Sequence, residues 1–364
     1  MIKKLFFCLA LLPFSSLLGQ LASEKNSTMA LIEQSIQRVM KQQNIPGIAV
    51  ALLYEGHPSL LSFGWADPER RIPVTPSTLF EIGSITKVFT TTALAIEVLK
   101  GRMHLNDAVT KYFPAIKHPQ AIDRVTLVEL ATHTSSLPRT LPALNRGRKP
   151  DQTFLIHFLE NWTPAYPIGT RYAYSNLGFG VLGKAIAHAE GKTYEQTIQQ
   201  WVTFPLDMTE TVIFVPSDLR THVARGYNKE GQPIPPSYKP MLNAGSGAIR
   251  STSQDMLKFL EANLGLRGPI FLQKAMRFAQ QGFFQVNPHL TLGLGWQRFQ
   301  SPPWLIIDKN GGMAGFSSYI GFIPDKKIGI VLLANKSKTH LTTIGRQLLR
   351  RLARDLNGIP LSDD

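Results

Sequence analysis

Apolar residues keep one rhythm at the two ends of this chain and another in its middle. Gly47–Tyr54 is an unbroken apolar run, and residues 59–65 follow it across Glu55-Gly56, the pattern of a hairpin. Towards the other end, residues 292–299, 304–309, 317–323 and 328–335 read as successive strands joined by short turns. Between the two groups the spacing is helical: 88–100 closed by Gly101, 126–132, 176–190 stopped by Gly191, 194–203, and 253–264 with a polar start. Amphipathic helices at 28–43 and 339–357 flank the outermost strands, 139–151 is a basic, Pro-containing loop, and 207–238 is loop-rich. The economical arrangement is one antiparallel sheet drawn from both ends of the chain. Terminal helices cover it, and a helical insertion at roughly 84–265 sits to one side, an α+β fold.

The 364 residues suit one large domain or two intimately packed ones, and 43% hydrophobic with 18% charged residues provides a sizeable core. Residues 1–22 read as a cleaved secretory signal: Lys3 and Lys4, an apolar stretch at 5–18, then small residues such as Gly19 and Ala22. That leaves 23–364 as the mature domain, with an uncleaved anchor as the alternative. The stretch is short for a membrane span. The only cysteine, Cys8, lies inside it, so the mature chain has no thiol for a disulfide, a metal site or a nucleophile. Export without disulfides fits a bacterial periplasm.

The net charge of +14 becomes +12 without Lys3 and Lys4. It is dispersed apart from 139–149 and 346–354, and there is no zinc-finger or RNA-binding signature, so nucleic acid is not an expected partner. Attraction to an anionic cell wall or membrane surface is one use of such charge, and ordinary solvated faces are another.

Three segments carry chemistry. In Phe80-Glu81-Ile82-Gly83-Ser84-Ile85-Thr86-Lys87, Ser84 stands at a helix start with Lys87 three residues on, along one helix face. A serine hydroxyl needs a neighbouring proton acceptor to become a nucleophile, and a helix N-terminus favours negative charge. In Tyr172-Ala173-Tyr174-Ser175-Asn176, at a loop-to-helix boundary, a phenolate among cations is a general base; the plainer alternative packs Tyr174 and uses Asn176 as a cap. In Lys309-Asn310-Gly311-Gly312, at the end of an apolar strand, the lysine is fixed positive charge and the glycines admit a ligand to the backbone; the alternative is an exposed hairpin lysine. Residues 178–183 match G-x-G-x-x-G but lie within a helical segment, which points to close helix packing rather than a dinucleotide site. With no His-Glu-x-x-His, no P-loop and nine scattered histidines, neither a metal nor another cofactor is expected; His133 reads as a packed or hydrogen-bonding residue.

Taken in order, these segments resemble the penicillin-recognising serine hydrolases, above all class C β-lactamases and the low-molecular-mass penicillin-binding DD-peptidases. The likeness spans roughly 45–352 and includes Leu130-Ala131-Thr132-His133-Thr134, Gly293-Leu294-Gly295-Trp296 and Gly315-Phe316. It implies a β-lactamase/transpeptidase-like fold and an acyl-enzyme mechanism without a cofactor. Ser84 matches the acylated nucleophile, Lys87 its partner, and Tyr174 the base, its pKa lowered by two lysines. Asn176 matches the residue that binds the substrate amide, and Lys309 the lysine that steadies phenolate and substrate carboxylate. The amides of Ser84 and Gly312 match the oxyanion hole.

The chain departs from the family where the substrate is chosen. Asn310 replaces a hydroxyl residue, Thr140 stands near a glutamine of class C enzymes, and Gly247 stands near an aromatic. Lys338, His340 and Arg346 are candidates for a substrate-binding pair that has no clear match. The resulting expectation is a periplasmic β-lactamase whose partner is a small-molecule β-lactam. The alternatives are a DD-carboxypeptidase or endopeptidase on D-Ala-D-Ala peptides, an esterase, and a non-catalytic wall-binding protein.

Overall fold

A computed structural model describes residues 14–142, 150–238 and 241–357, with side chains from Thr28 onward. Residues 1–13 of the expected signal and 143–149 of the basic loop lie outside the described residues. The first half runs α1 Phe14–Gln43, β1 Gly47–Tyr54, β2 His57–Asp67, β3 Ile72–Pro73, β4 Phe80–Glu81, α2 Thr86–Leu99, α3 Leu127–Ala131, α4 Gln152–Asn161, α5 Asn176–Glu190 and α6 Tyr194–Ile198. It continues with β5 Gly226–Tyr227, β6 Pro233–Ile234, β7 Arg250–Ser251, α7 Ser253–Asn263 and α8 Ile270–Ala279. The chain closes with β8 Phe284–Asn287, β9 Leu290–Leu292, β10 Gln297–Ser301, β11 Trp304–Gly312, β12 Ser317–Ile323, β13 Ile328–Ala334 and α9 Leu341–Asp355.

Nine strands form one antiparallel sheet in the order β3-β2-β1-β13-β12-β11-β10-β9-β8. The two ends of the chain meet at β1 and β13, where Ile48 stands opposite Ala334. Both faces of β1 are covered, which is why its sequence is apolar without alternation. Ile48, Val50, Leu52 and Tyr54 face α1 and α9, packing with Ile32, Ile36, Leu349 and Leu352. Ala49, Ala51 and Leu53 join the larger core with the helices of the middle region. There Phe89 of α2 stacks on Phe259 of α7 at 4.0 Å between centroids.

Several expectations change in detail. The stretch 292–299 is two strands broken by a turn: Gly295 has φ 74°, and a Cβ on Gly293 would lie 2.7 Å from the Ala279 carbonyl oxygen. Leu294 and Trp296 are buried in that turn, which is what gives it a strand-like sequence. Helices α4 and α8 were not expected. The segment 194–203 is one short helix followed by a π-turn, Gln199–Thr203. The glycines of 178–183 serve helix packing as expected: a Cβ on Gly180 would meet Asn243 Cβ at 2.6 Å.

Candidate active site

Ser84 lies in a 3₁₀ turn, Gly83–Ile85, that runs directly into α2. Glycine allows this turn to touch β11. Gly83 has φ 49°, and a Cβ there would stand 2.7 Å from the Gly312 nitrogen. A Cβ on Gly311 would lie 2.1 Å from the Ile82 carbonyl oxygen and 2.3 Å from Ser318 Oγ. Gly312, by contrast, has nothing within 4 Å of its Cβ position. Backbone contact is thus enforced behind the serine and open space is left in front of it.

The Ser84 hydroxyl has two partners. Tyr174 donates its phenolic hydrogen bond to Ser84 Oγ at 2.6 Å, and Lys87 Nζ lies 3.1 Å away on the other side. Lys87 also reaches the Asn176 side-chain oxygen at 2.9 Å and the Ser246 carbonyl at 2.7 Å. It is fully buried, and burial together with the charges of Lys309 and Arg139 holds its amine well below the ordinary lysine value.

Tyr174 is held by the backbone on either side. Ala173 N–H donates to the His133 carbonyl at 2.8 Å, and Ser175 N–H donates to His133 Nδ1 at 3.0 Å. Ser175 Oγ caps α5 by accepting from Gly178 N–H at 2.8 Å. The His133 ring lies 4.3 Å from the Tyr174 ring. Burial, with Lys309 and Lys87 nearby, keeps this imidazole well below its usual pKa, so Nδ1 remains an acceptor. The hydrogen-bonding reading of His133 is the one observed, and here it positions the phenol. Asn176 opens α5, its N–H donating to the Arg139 carbonyl at 2.9 Å.

Lys309 is buried on β11, its Nζ 5.3 Å from the Tyr174 ring centroid. Burial brings it down to about 8 against the opposing pull of the Asp308 carboxylate. The pKa expectation for Tyr174 is reversed: burial outweighs the hydrogen bond with Ser84 and the charge of Arg139, and the phenol is raised. Desolvation disfavours the charged phenolate more than the neighbouring positive charge favours it.

Asn310 and Gly312 are exposed and line a cleft of about 780 Å³ together with Ser84, Tyr174 and Lys309. Of the three candidates after the last strand, only Lys338 lines it. Arg346 is committed to Asp308, with Nε to Oδ2 at 2.5 Å and Nη2 to Oδ1 at 3.1 Å, and the His340 N–H donates to Gln43 Oε1. Two contributors were not anticipated, the Ser246 carbonyl and the Arg139 side chain. The first is a backbone atom with no sequence signal. The second belongs in sequence to a run of basic residues that does not single it out. Among the described residues no group of three or more histidines, cysteines or carboxylates is placed to hold a metal ion.

The β-lactamase family profile matches residues 32–354 of the chain. The chain belongs to the β-lactamase family. A β-lactamase of Yersinia enterocolitica is 33% identical over 343 residues, covering 84% of this chain and 86% of that protein. A β-lactamase of Escherichia coli K12 is likewise 33% identical, covering 84% and 88%. A solved class C β-lactamase superposes with a TM-score of 0.83 at 30% identity, over 89% of this chain and 96% of its own. A class C β-lactamase solved in complex with cefoxitin matches equally well, over 90% and 99%. The fold is the α+β β-lactamase/transpeptidase fold.

Proposed function

We propose that this protein opens β-lactam rings through an acyl-enzyme on Ser84. The observation that carries the reading is the double contact of Ser84 Oγ with Lys87 and Tyr174 at the floor of an open cleft. A neutral amine has two N–H donors and one lone pair. Lys87 has three partners, of which the Asn176 and Ser246 oxygens only accept. The lone pair is left for the Ser84 hydroxyl, so Lys87 receives its proton as Oγ attacks the lactam carbonyl. Tyr174 passes its proton to the departing ring nitrogen, and its phenolate then faces the new ammonium. Water attacks the ester, giving one proton to that phenolate and carrying the other into the product acid, and the departing Ser84 Oγ recovers its own proton from Lys87. Tyr174 thus acts as a base in the second half of the cycle. The N–H groups of Ser84 and Gly312 receive the developing oxyanion, an effect of about 10²–10³ in rate per donor. Asn176 Nδ2 binds the substrate amide, and Lys309 with Asn310 binds the ring carboxylate. The cefoxitin complex of a relative supports a β-lactam in this cleft.

The test is mass spectrometry over time with nitrocefin and with a D-Ala-D-Ala pentapeptide. Rapid turnover of nitrocefin, with Ser84→Ala forming no adduct, is expected. A long-lived nitrocefin adduct with turnover of the peptide would instead establish the peptidase, for which the segment Gly245-Ser246-Gly247 is the argument. We further infer export to the periplasm from the basic and apolar start of the chain, tested by fractionating cells that express it.

A further inference from the structure

Arg139 stands in the cleft wall, and among the described residues no acid pairs with it. Its guanidinium carbon lies 5.0 Å from the Tyr174 ring centroid, and the residue is exposed. Among the described residues its side chain forms no ion pair or hydrogen bond. In sequence, residues 143–149 include neither Asp nor Glu. Among the described residues no Asp or Glu lines the cleft, and the cations that line it are Arg139, Lys229, Lys309 and Lys338. Lys229 lies 3.3 Å from Glu230, so its charge is partly answered.

Position separates Arg139 from the others. Its backbone carbonyl accepts from the N–H groups of Asn176 and Leu177, at 2.9 and 3.2 Å. It is therefore anchored at the start of α5, beside the residue assigned to the substrate's acyl amide. Lys309 and Asn310 lie on β11 across the cleft, where the ring carboxylate is assigned. A guanidinium resting on an aromatic ring is already oriented and keeps its N–H edge for a carboxylate, which it can bind through two hydrogen bonds. We propose that Arg139 is a specificity residue that binds a second carboxylate, carried on the acyl side chain of the substrate. The proposal rests on the β-lactam reading above. A carboxylate entering there meets no like charge, and an ammonium at the same place meets an uncompensated cation.

Three penicillins that differ only at the acyl α-carbon test this: benzylpenicillin (uncharged), ampicillin (ammonium) and carbenicillin (carboxylate). Arg139→Gln is expected to raise KM for carbenicillin at least about tenfold more than KM for benzylpenicillin, with kcat changing alike for both, the size of a lost charge-assisted hydrogen bond. Arg139→Glu is expected to reverse the order of carbenicillin and ampicillin, and Arg139→Lys to retain part of the carbenicillin preference. Melting curves check that the variants fold. An equal loss on all three substrates would overturn the proposal and leave Arg139 as a charge acting on Tyr174 and Lys87. No loss on any would make it a solvated surface cation. Failure of the underlying reading looks different: the wild type would neither be acylated by nor hydrolyse any of the three, and the proposal would fall with it.

Discussion

Lys87 and Lys309 are both buried amines, yet the chemistry asks opposite charge states of them. Lys87 has to be neutral to accept the Ser84 proton, and its lowered pKa supplies that form at lower pH than an exposed lysine could. As pH falls through that value the amine protonates and acylation slows. Lys87→Arg, which never loses its proton, should reduce the rate of adduct formation by about 10²–10⁴. Near-normal labelling of that variant would remove the lysine from the proton path. Lys309 has to be charged, and its pKa of about 8 sets the other limit. Below that pH it is an ammonium and holds the substrate carboxylate; above it the charge is lost and KM rises. The pH profile of kcat/KM for benzylpenicillin should therefore fall with an apparent pKa of about 8, and Lys309→Arg should move the fall to higher pH. A profile flat to strongly alkaline pH would contradict the charge role. At this scale the sequence was informative only by type. Ser84 and Lys87 are readable as a pair because helix geometry links neighbours. Tyr174 hydrogen-bonds the serine from 90 positions away, and only the family likeness linked them. Arg139 sat in a stretch of like charges, where nothing local distinguishes a cleft residue from a solvated one.

The elements that build the site do so through close approach and burial. Gly311→Ala places a methyl group against the Ile82 carbonyl, where neither strand nor turn has room. It should cost about 1–3 kcal/mol in urea unfolding, as overpacking does. Gly312→Ala, one residue further along the same strand, meets open space and should leave stability unchanged. Equal losses for the two would mean that the contact between Ser84's turn and β11 is not as drawn. Behind this strand, α9 is pinned by Arg346 to the buried Asp308, which also accepts from the Tyr319 hydroxyl at 3.1 Å. Arg346→Ala strands that carboxylate and should destabilise by about 3–5 kcal/mol, with Asp308→Asn in the same chain recovering part of it. Additive losses would argue against the pair. Among elements, β12 was readable to the residue, because two buried faces and two turns leave no other pattern. Helix α8 was not expected, although its inward residues Leu272, Ala275, Met276 and Ala279 hold helical spacing.

Over the whole molecule, a net charge of +14, or +12 without Lys3 and Lys4, accompanies a cleft that no acid lines among the described residues. Anionic substrates should be steered towards it, so kcat/KM for benzylpenicillin should fall a few-fold between low and high NaCl, and less for zwitterionic ampicillin. Identical salt responses would assign the charge to solubility alone. The global plan was legible because strand and helix rhythms are segregated along the chain, and two strand groups with apolar faces have to find each other. Their meeting at β1 and β13 has one more consequence. It brings α1 and α9 together, with the Thr28 hydroxyl donating to the Asp355 carboxylate at 2.5 Å. The chain from Thr28 to Asp355 therefore nearly closes on itself. Joining residues near 28 and 355 through a short Gly/Ser bridge, and reopening the chain in the exposed turn after α7, should yield a circular permutant with every strand pairing retained. In such a protein Ser84 would follow the residues of β11 in sequence instead of preceding them, with the site unchanged.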